Sequence, residues 1–206
     1  AASDVYKRQG QPLPSPGVAR VLLMNKPVGV ICSCDDPQGR RTVLDLLPPE
    51  HRAGLHPVGR LDADSHGALL LTDLGELTLK LTHPRYSHAK TYRVWVQGVP
   101  PEPVLDRWRR GVPLDGRLTR PARVRQLRTW GDRSLLEIEL REGRNRQIRR
   151  MAEALGYSVV DLQRTAIAGL PLGDLAEGCW IWLSEGEWKP LLERAGSMDL
   201  PNSPCD

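Results

Sequence analysis

Phenylalanine is absent from this chain, and lysine is nearly so, occurring only at Lys7, Lys26, Lys80, Lys90 and Lys189. Core bulk must therefore come from aliphatic residues and the six tryptophans, with Trp108 and Trp130 the two that could instead lie on a surface. No apolar run approaches the roughly 20 residues of a membrane-spanning helix, so nothing in the sequence inserts into a bilayer as one. Cysteine is sparse: Cys32, Cys34, Cys179 and Cys205 have neither paired Cys-x-x-Cys spacing nor the density of a secreted disulfide scaffold. They read as reduced structural thiols, which places the protein in the cytoplasm, and no signal peptide is visible. The histidines His51, His56, His66, His83 and His88 lack ligand spacing, so no metal is expected. A Gly-rich phosphate loop and a dinucleotide fingerprint are also missing, and no cofactor is expected.

What is present is arginine. The net charge is +4, and the positive side is almost entirely guanidinium. A fixed charge on a planar fork suits phosphate. A coding bias toward arginine explains the bulk figure equally well, so the local distribution has to decide.

Residues 1–17 have no apolar period and end in a Pro/Ser/Gly cluster, the composition of a disordered leader. Order is expected over residues 18–196 as one α+β domain, two pseudo-subdomains sharing a sheet, followed by a flexible tail at 197–206. Strands are predicted for VARVLLMNK, where Pro27 supplies the stop, and for VGVICSC, where β-branched residues dominate a short apolar run. TVLDLLP reads as a short helix capped by Thr42 and stopped by Pro48. HPVGRLDADSHGALLLT reads as strand, polar loop, strand, and GELTLKLT as an amphipathic helix ended by Pro84. In TYRVWVQGV, Tyr92, Val94 and Val96 alternate onto one face. A helix near Glu102–Arg110, a GVPLDG turn, a strand at 122–128 and the alternating SLLEIEL follow. The clearest helix is RQIRRMAEALG, with Ile148, Met151, Ala152 and Leu155 at i, i+3, i+4 and i+7 and Gly156 as its stop. YSVVDLQ, CWIWLS and a closing helix near Glu187–Arg194 complete a pattern of many strands and few helices. That favours a largely antiparallel sheet.

Three constellations could carry chemistry. Gly59-Arg60-Leu61-Asp62-Ala63-Asp64-Ser65-His66-Gly67 puts a carboxylate and an arginine in a polar loop between apolar arms, where a rigid scaffold usually holds reactive groups. Asp62 alone is equally readable as a turn or capping residue. The second, Arg141-Glu142-Gly143-Arg144-Asn145-Arg146-Gln147-Ile148-Arg149-Arg150, straddles a turn and a helix start. On a helical wheel Arg146 and Arg150 face away from the apolar stripe, suited to phosphates, and Arg149 lies at its border, able to bury its stem and aim its head into a site. A solvated charged face is the ordinary alternative, and Asn145 and Gln147 tilt the reading toward RNA. The third is Lys90-Thr91-Tyr92, where Tyr92 either stacks on a base or is simply a half-buried strand tyrosine.

Taken together, and with LMNKPVGVICSC, GELTLKLTHP, GVPLDG and GLPLGDLAEG, these segments resemble the RsuA-type family of ribosomal-RNA pseudouridine synthases in order and spacing from about Arg20 to about Leu192. The resemblance implies an α+β catalytic fold with a long, mainly antiparallel sheet, flanking helices and a central RNA cleft. By position it implies Asp62 as catalytic aspartate, Arg60 as the side chain that wedges out the target uridine, Tyr92 beside the uracil and Arg149 as the cation paired with Asp62. Lys90, Arg144, Asn145, Arg146 and Arg150 are then the RNA-contacting set. Two departures stand out. Leu74 takes a place where an acidic or amide residue is common, and the small N-terminal S4-type domain of many members is missing. The implied partner is ribosomal RNA, of the large subunit by preference, or a pre-ribosomal particle, with the protein acting as a monomer. An ionised Asp62 in a partly dry pocket needs a guanidinium within about 4–6 Å to offset desolvation.

Two rivals are worth naming. A metal-dependent RNA hydrolase would use Asp62, Asp64 and Asp73, but in an extended segment Asp62 and Asp64 would point to opposite sides. A non-catalytic RNA-binding module would keep the scaffold without the chemistry.

Overall fold

The computed structural model describes residues 19–193. The leader assigned to residues 1–17, the tail after Gly196 and Cys205 lie outside the described residues. The elements run β1 (Val21–Lys26), a 3-10 turn (Leu44–Leu46), α1 (Pro49–Arg52), β2 (His56–Pro57), β3 (His66–Thr72), α2 (Gly75–Thr82) and β4 (Lys90–Gln97). They continue with α3 (Glu102–Arg110), β5 (Pro113–Leu114), β6 (Arg117–Leu118), β7 (Arg123–Trp130), β8 (Arg133–Leu140) and α4 (Gln147–Ala154). The chain closes with β9 (Val159–Ile167), β10 (Leu170–Pro171), β11 (Trp180–Trp182) and α5 (Glu185–Glu193).

One long sheet carries the fold, in the order β11-β1-β3-β9-β4-β8-β7, with β2 added to β3 and β10 to β9. Each pairing is antiparallel except β3 with β9, where His66 and Gly67 lie beside Gln163 and Arg164. That parallel junction joins the two halves of the sheet. On one side Val94, Val96, Leu136 and Ile138 pack with Leu105 and Trp108 of α3 and Ile148, Met151 and Ala152 of α4. On the other, β1 and β3 are buried on both faces, beneath α2 and α5 on one and beneath Val43, Leu47, Trp180 and Trp182 on the other. Gly67 is indispensable at the junction. Its φ is +109°, and a Cβ there would lie 2.3 Å from the Arg164 carbonyl oxygen.

Most periodic expectations hold. Tyr92, Val94 and Val96 share a buried face, and Ile148, Met151, Ala152 and Leu155 bury the stripe of α4. Trp108 is fully buried, whereas Trp130 is 73% exposed. VGVICSC is not a strand. Strand β1 already has β3 and β11 on its two sides, so the segment finds no free edge and makes one bridge, Ile31 with Thr42. Nor does Thr42 cap a helix as an acceptor. Its backbone N–H and hydroxyl donate to Asp45, at 2.8 and 3.0 Å, and only a 3-10 turn follows.

Candidate active site

The polar loop between β2 and β3 is pinned from several directions. The Gly29 N–H donates to the Ala63 carbonyl at 2.7 Å, and the Ser65 N–H to the Asp62 carbonyl at 3.1 Å. Buried Leu61 anchors the loop inward, and its N–H donates to the Cys32 sulfur at 3.3 Å. The second bond closes a turn, so this segment is not extended. Asp62 and Asp64 accordingly reach the same guanidinium rather than pointing apart.

That guanidinium belongs to Arg146, and here the structure corrects the sequence reading. Arg146 Nη1 lies 3.6 Å from an Asp62 carboxylate oxygen and 3.1 Å from one of Asp64, while Nη2 donates to Asp64 at 2.8 Å. Arg149, expected to pair with Asp62, instead donates to the Asp64 carbonyl at 2.8 Å and the Ser65 hydroxyl at 3.3 Å, with Nε 3.4 Å from the Asp64 carboxylate. It braces the loop. The difference arises because Arg146 is not on the helical wheel: its φ of +47° turns it off the start of α4 and over the loop. Arg146 lowers the Asp64 pKa, and the two carboxylates raise its own.

Behind the loop, Lys26 is fully buried with its ammonium donating to the Pro27 carbonyl at 2.8 Å. Burial lowers its pKa, partly opposed by Cys32, Asp62 and Asp64. Arg164, 3% exposed, donates from Nε to the Ala68 carbonyl at 2.7 Å and reaches the Arg60 carbonyl from Nη1 at 3.4 Å. Neither residue was singled out from the sequence. For Arg164 a signal existed, since alternation along β9 sets it on the same inward face as Leu162.

In front of the loop opens a cleft of about 570 Å³. Arg60, Asp62, Lys90, Tyr92, Arg144, Asn145, Arg146 and Arg149 all line it, joined by Arg120, Arg141 and Arg164. Of the nine expected site residues only Arg150 does not; it pairs with Asp115 at 2.5 Å. Eight lysine and arginine residues against Asp62 and Glu142 make the cleft strongly cationic, which selects a polyanion. Not every guanidinium is free. Arg144 donates to the carbonyls of Arg117 and Leu118, at 3.0 and 2.6 Å, and so ties the cluster to the β5–β6 hairpin. Glu142 accepts from Gln147 at 2.7 Å and from the Arg120 N–H at 2.8 Å, holding the turn before α4. Asp73 lies apart, bonded to Arg20 at 2.7 Å, so the acidic trio of the hydrolase rival is not assembled. Among the described residues no group of three or more metal-ligating side chains is gathered.

The RNA pseudouridylate synthase family matches residues 20–154, a span that includes the loop, Tyr92 and α4. The chain belongs to that family.

Similarity to individual synthases extends further along the chain. An uncharacterized RNA pseudouridine synthase of Aquifex aeolicus is 35% identical over 96% of this chain and 79% of its own length. Ribosomal large subunit pseudouridine synthase B of Bacillus subtilis is 41% identical over 76% of this chain and 65% of its own. Ribosomal small subunit pseudouridine synthase A of Escherichia coli is 35% identical over 89% and 75% respectively. A crystal structure of a pseudouridylate synthase superposes with a TM-score of 0.78 at 32% identity, covering 87% of this chain and 76% of that one. This synthase is therefore an isomerase with the mainly antiparallel catalytic fold that its motifs imply. Arg146, the cation nearest Asp62, comes from the same family-matched segment as Arg149.

Proposed function

We propose that the protein converts uridine in ribosomal RNA, with the large subunit preferred, to pseudouridine, and that Asp62 is its catalytic carboxylate. The observation that carries this reading is Asp62 lining a cationic cleft with a guanidinium 3.6 Å away. The reaction breaks the C1′–N1 bond and forms C1′–C5; the C5 proton leaves to solvent and N1 gains one. Asp62 starts this either by bonding to the sugar or ring or by removing a sugar proton, and both routes need an ionised oxygen. Arg146 supplies the neighbouring positive charge, while Arg149 fixes the loop that presents the carboxylate. A uridine stacked inside folded RNA is unreachable, so it must be everted at a cost of roughly a few kcal/mol. Exposed Arg60 fills the space it leaves, and Tyr92 stacks on the detached uracil. Lys90, Asn145 and Arg146 contact the RNA from within the cleft, whereas Arg144 and Arg150 act chiefly by holding the cleft wall.

The large-subunit preference leans on the several related synthases named for that subunit. The protein works as a cytoplasmic monomer on free RNA or a pre-ribosomal particle. Mapping pseudouridine across both ribosomal RNAs from cells with and without the gene tests the proposal. Loss of one or a few large-subunit sites supports it; loss only in the small subunit moves the substrate, and no loss in either removes ribosomal RNA.

A further inference from the structure

The cleft also gathers polar groups that no carboxylate among the described residues pairs with. Lys90 lines the cleft at the start of β4, and among the described residues its ammonium has no hydrogen bond and no carboxylate partner. Arg164 is 97% buried by its 3% exposure, and although two of its nitrogens bond to carbonyls, buried Nη2 has no partner. His88, 7% exposed, also lines the cleft and leaves Nε2 buried and unpartnered. His88, Lys90 and Arg164 all line this one cleft. Strand geometry explains why: Lys90 and Tyr92 project from the same face of β4, and Tyr92 is in register with Arg164 on β9.

Buried polar groups are nearly always satisfied, and unpaired buried cations are strongly disfavoured unless something meets them. Half-buried Lys90 and buried Arg164 carry charge that no carboxylate among the described residues meets, and with the orphaned His88 Nε2 they line one cleft, which calls for an anion with several acceptor oxygens. We propose that His88, Lys90 and Arg164 form a phosphate subsite that holds the phosphodiester flanking the everted uridine. The inference rests on the reading of this cleft as the seat of a uridine in RNA, and it adds where the backbone is gripped. Lys90 donates to the non-bridging oxygens, Arg164 turns Nη2 onto the same group, and His88 joins as a donor once protonated, which an adjacent anion favours.

The probe is uridine 5′-monophosphate compared with uridine, titrated into the full chain and followed by calorimetry and by the His88 ring resonances. The nucleotide should bind at least about tenfold more tightly than the nucleoside, the effect of a charge-assisted contact. It should also move the His88 signals, which uridine leaves in place. Lys90→Met should erase the difference and Lys90→Arg should restore most of it, with thermal unfolding confirming that both variants are folded. Equal binding of nucleotide and nucleoside, or an undiminished phosphate effect in Lys90→Met, overturns the proposal. Because the titration needs no turnover, it gives its answer even if ribosomal RNA proves not to be the substrate.

Discussion

A lysine kept for binding rather than for folding should be a burden on the free protein, and Lys90→Met tests this quantitatively. Burial and the nearby Arg164 lower the Lys90 pKa from 10.5 to about 8. At pH 7 the native amine is still charged, and holding that charge in its pocket opposes folding. The displacement corresponds to a ceiling of roughly 3 kcal/mol. Local relaxation reduces this, and methionine fills a similar volume without the charge. The expected gain at pH 7 is about 1 kcal/mol or more, or roughly 2–4 °C in melting temperature for a domain of this size. The sign with pH follows from the depressed value. The penalty is complete below pH 8 and fades as pH rises toward 10.5, because only the unfolded chain still binds the proton there. The advantage of Lys90→Met should therefore shrink between those limits. Calorimetric melts at a series of pH values, paired with RNA-binding curves, measure both sides. A melting temperature below wild type at pH 7, or stabilisation that grows with pH, would refute the reasoning.

Arg146→Ala should cut turnover at least about tenfold, whereas Arg149→Ala should slow turnover and also lower the melting temperature, since it unties the Asp64 carbonyl and Ser65 hydroxyl. Single-turnover rates and melts on the two variants separate the roles. Arg150→Ala should leave the salt dependence of RNA binding within error, because this side chain pairs with Asp115 outside the cleft; a slope reduced by about one would put it on a phosphate. Gly67→Ala should destabilise the protein by roughly 3 kcal/mol or more, read by urea unfolding, since both its φ and the Arg164 backbone oppose a Cβ.

Much of this molecule was legible because burial imposes a period. The two-residue alternation at Tyr92, Val94 and Val96 and the i, i+3, i+4, i+7 stripe from Ile148 are direct consequences of one-sided packing, and they located β4 and α4. The resemblance through the GRLD and RNRQIRR segments brings Asp62 and the arginine cluster together from sequence alone. What failed did so for reasons outside the local sequence. VGVICSC has strand composition, but both edges of β1 are occupied, a fact of topology. Arg146 was projected on a helix it does not join, because a single left-handed residue redirects its side chain. Lys26, His88 and Arg164 are scattered along the chain, and only folding brings them to the loop and its cleft. Lys26 offered no cluster to notice, Arg164 only the alternation of β9, and His88, two residues before Lys90, only a lone histidine without ligand spacing.

The most direct test uses ribosomal RNA labelled with tritium at uridine C5, because joining C1′ to C5 must release that label to water. Under single-turnover conditions the wild-type protein should release it, while Asp62→Asn should bind the RNA within a few fold of wild type and release none above background. Release by Asp62→Asn at a near wild-type rate would contradict the assignment of Asp62 as the catalytic carboxylate.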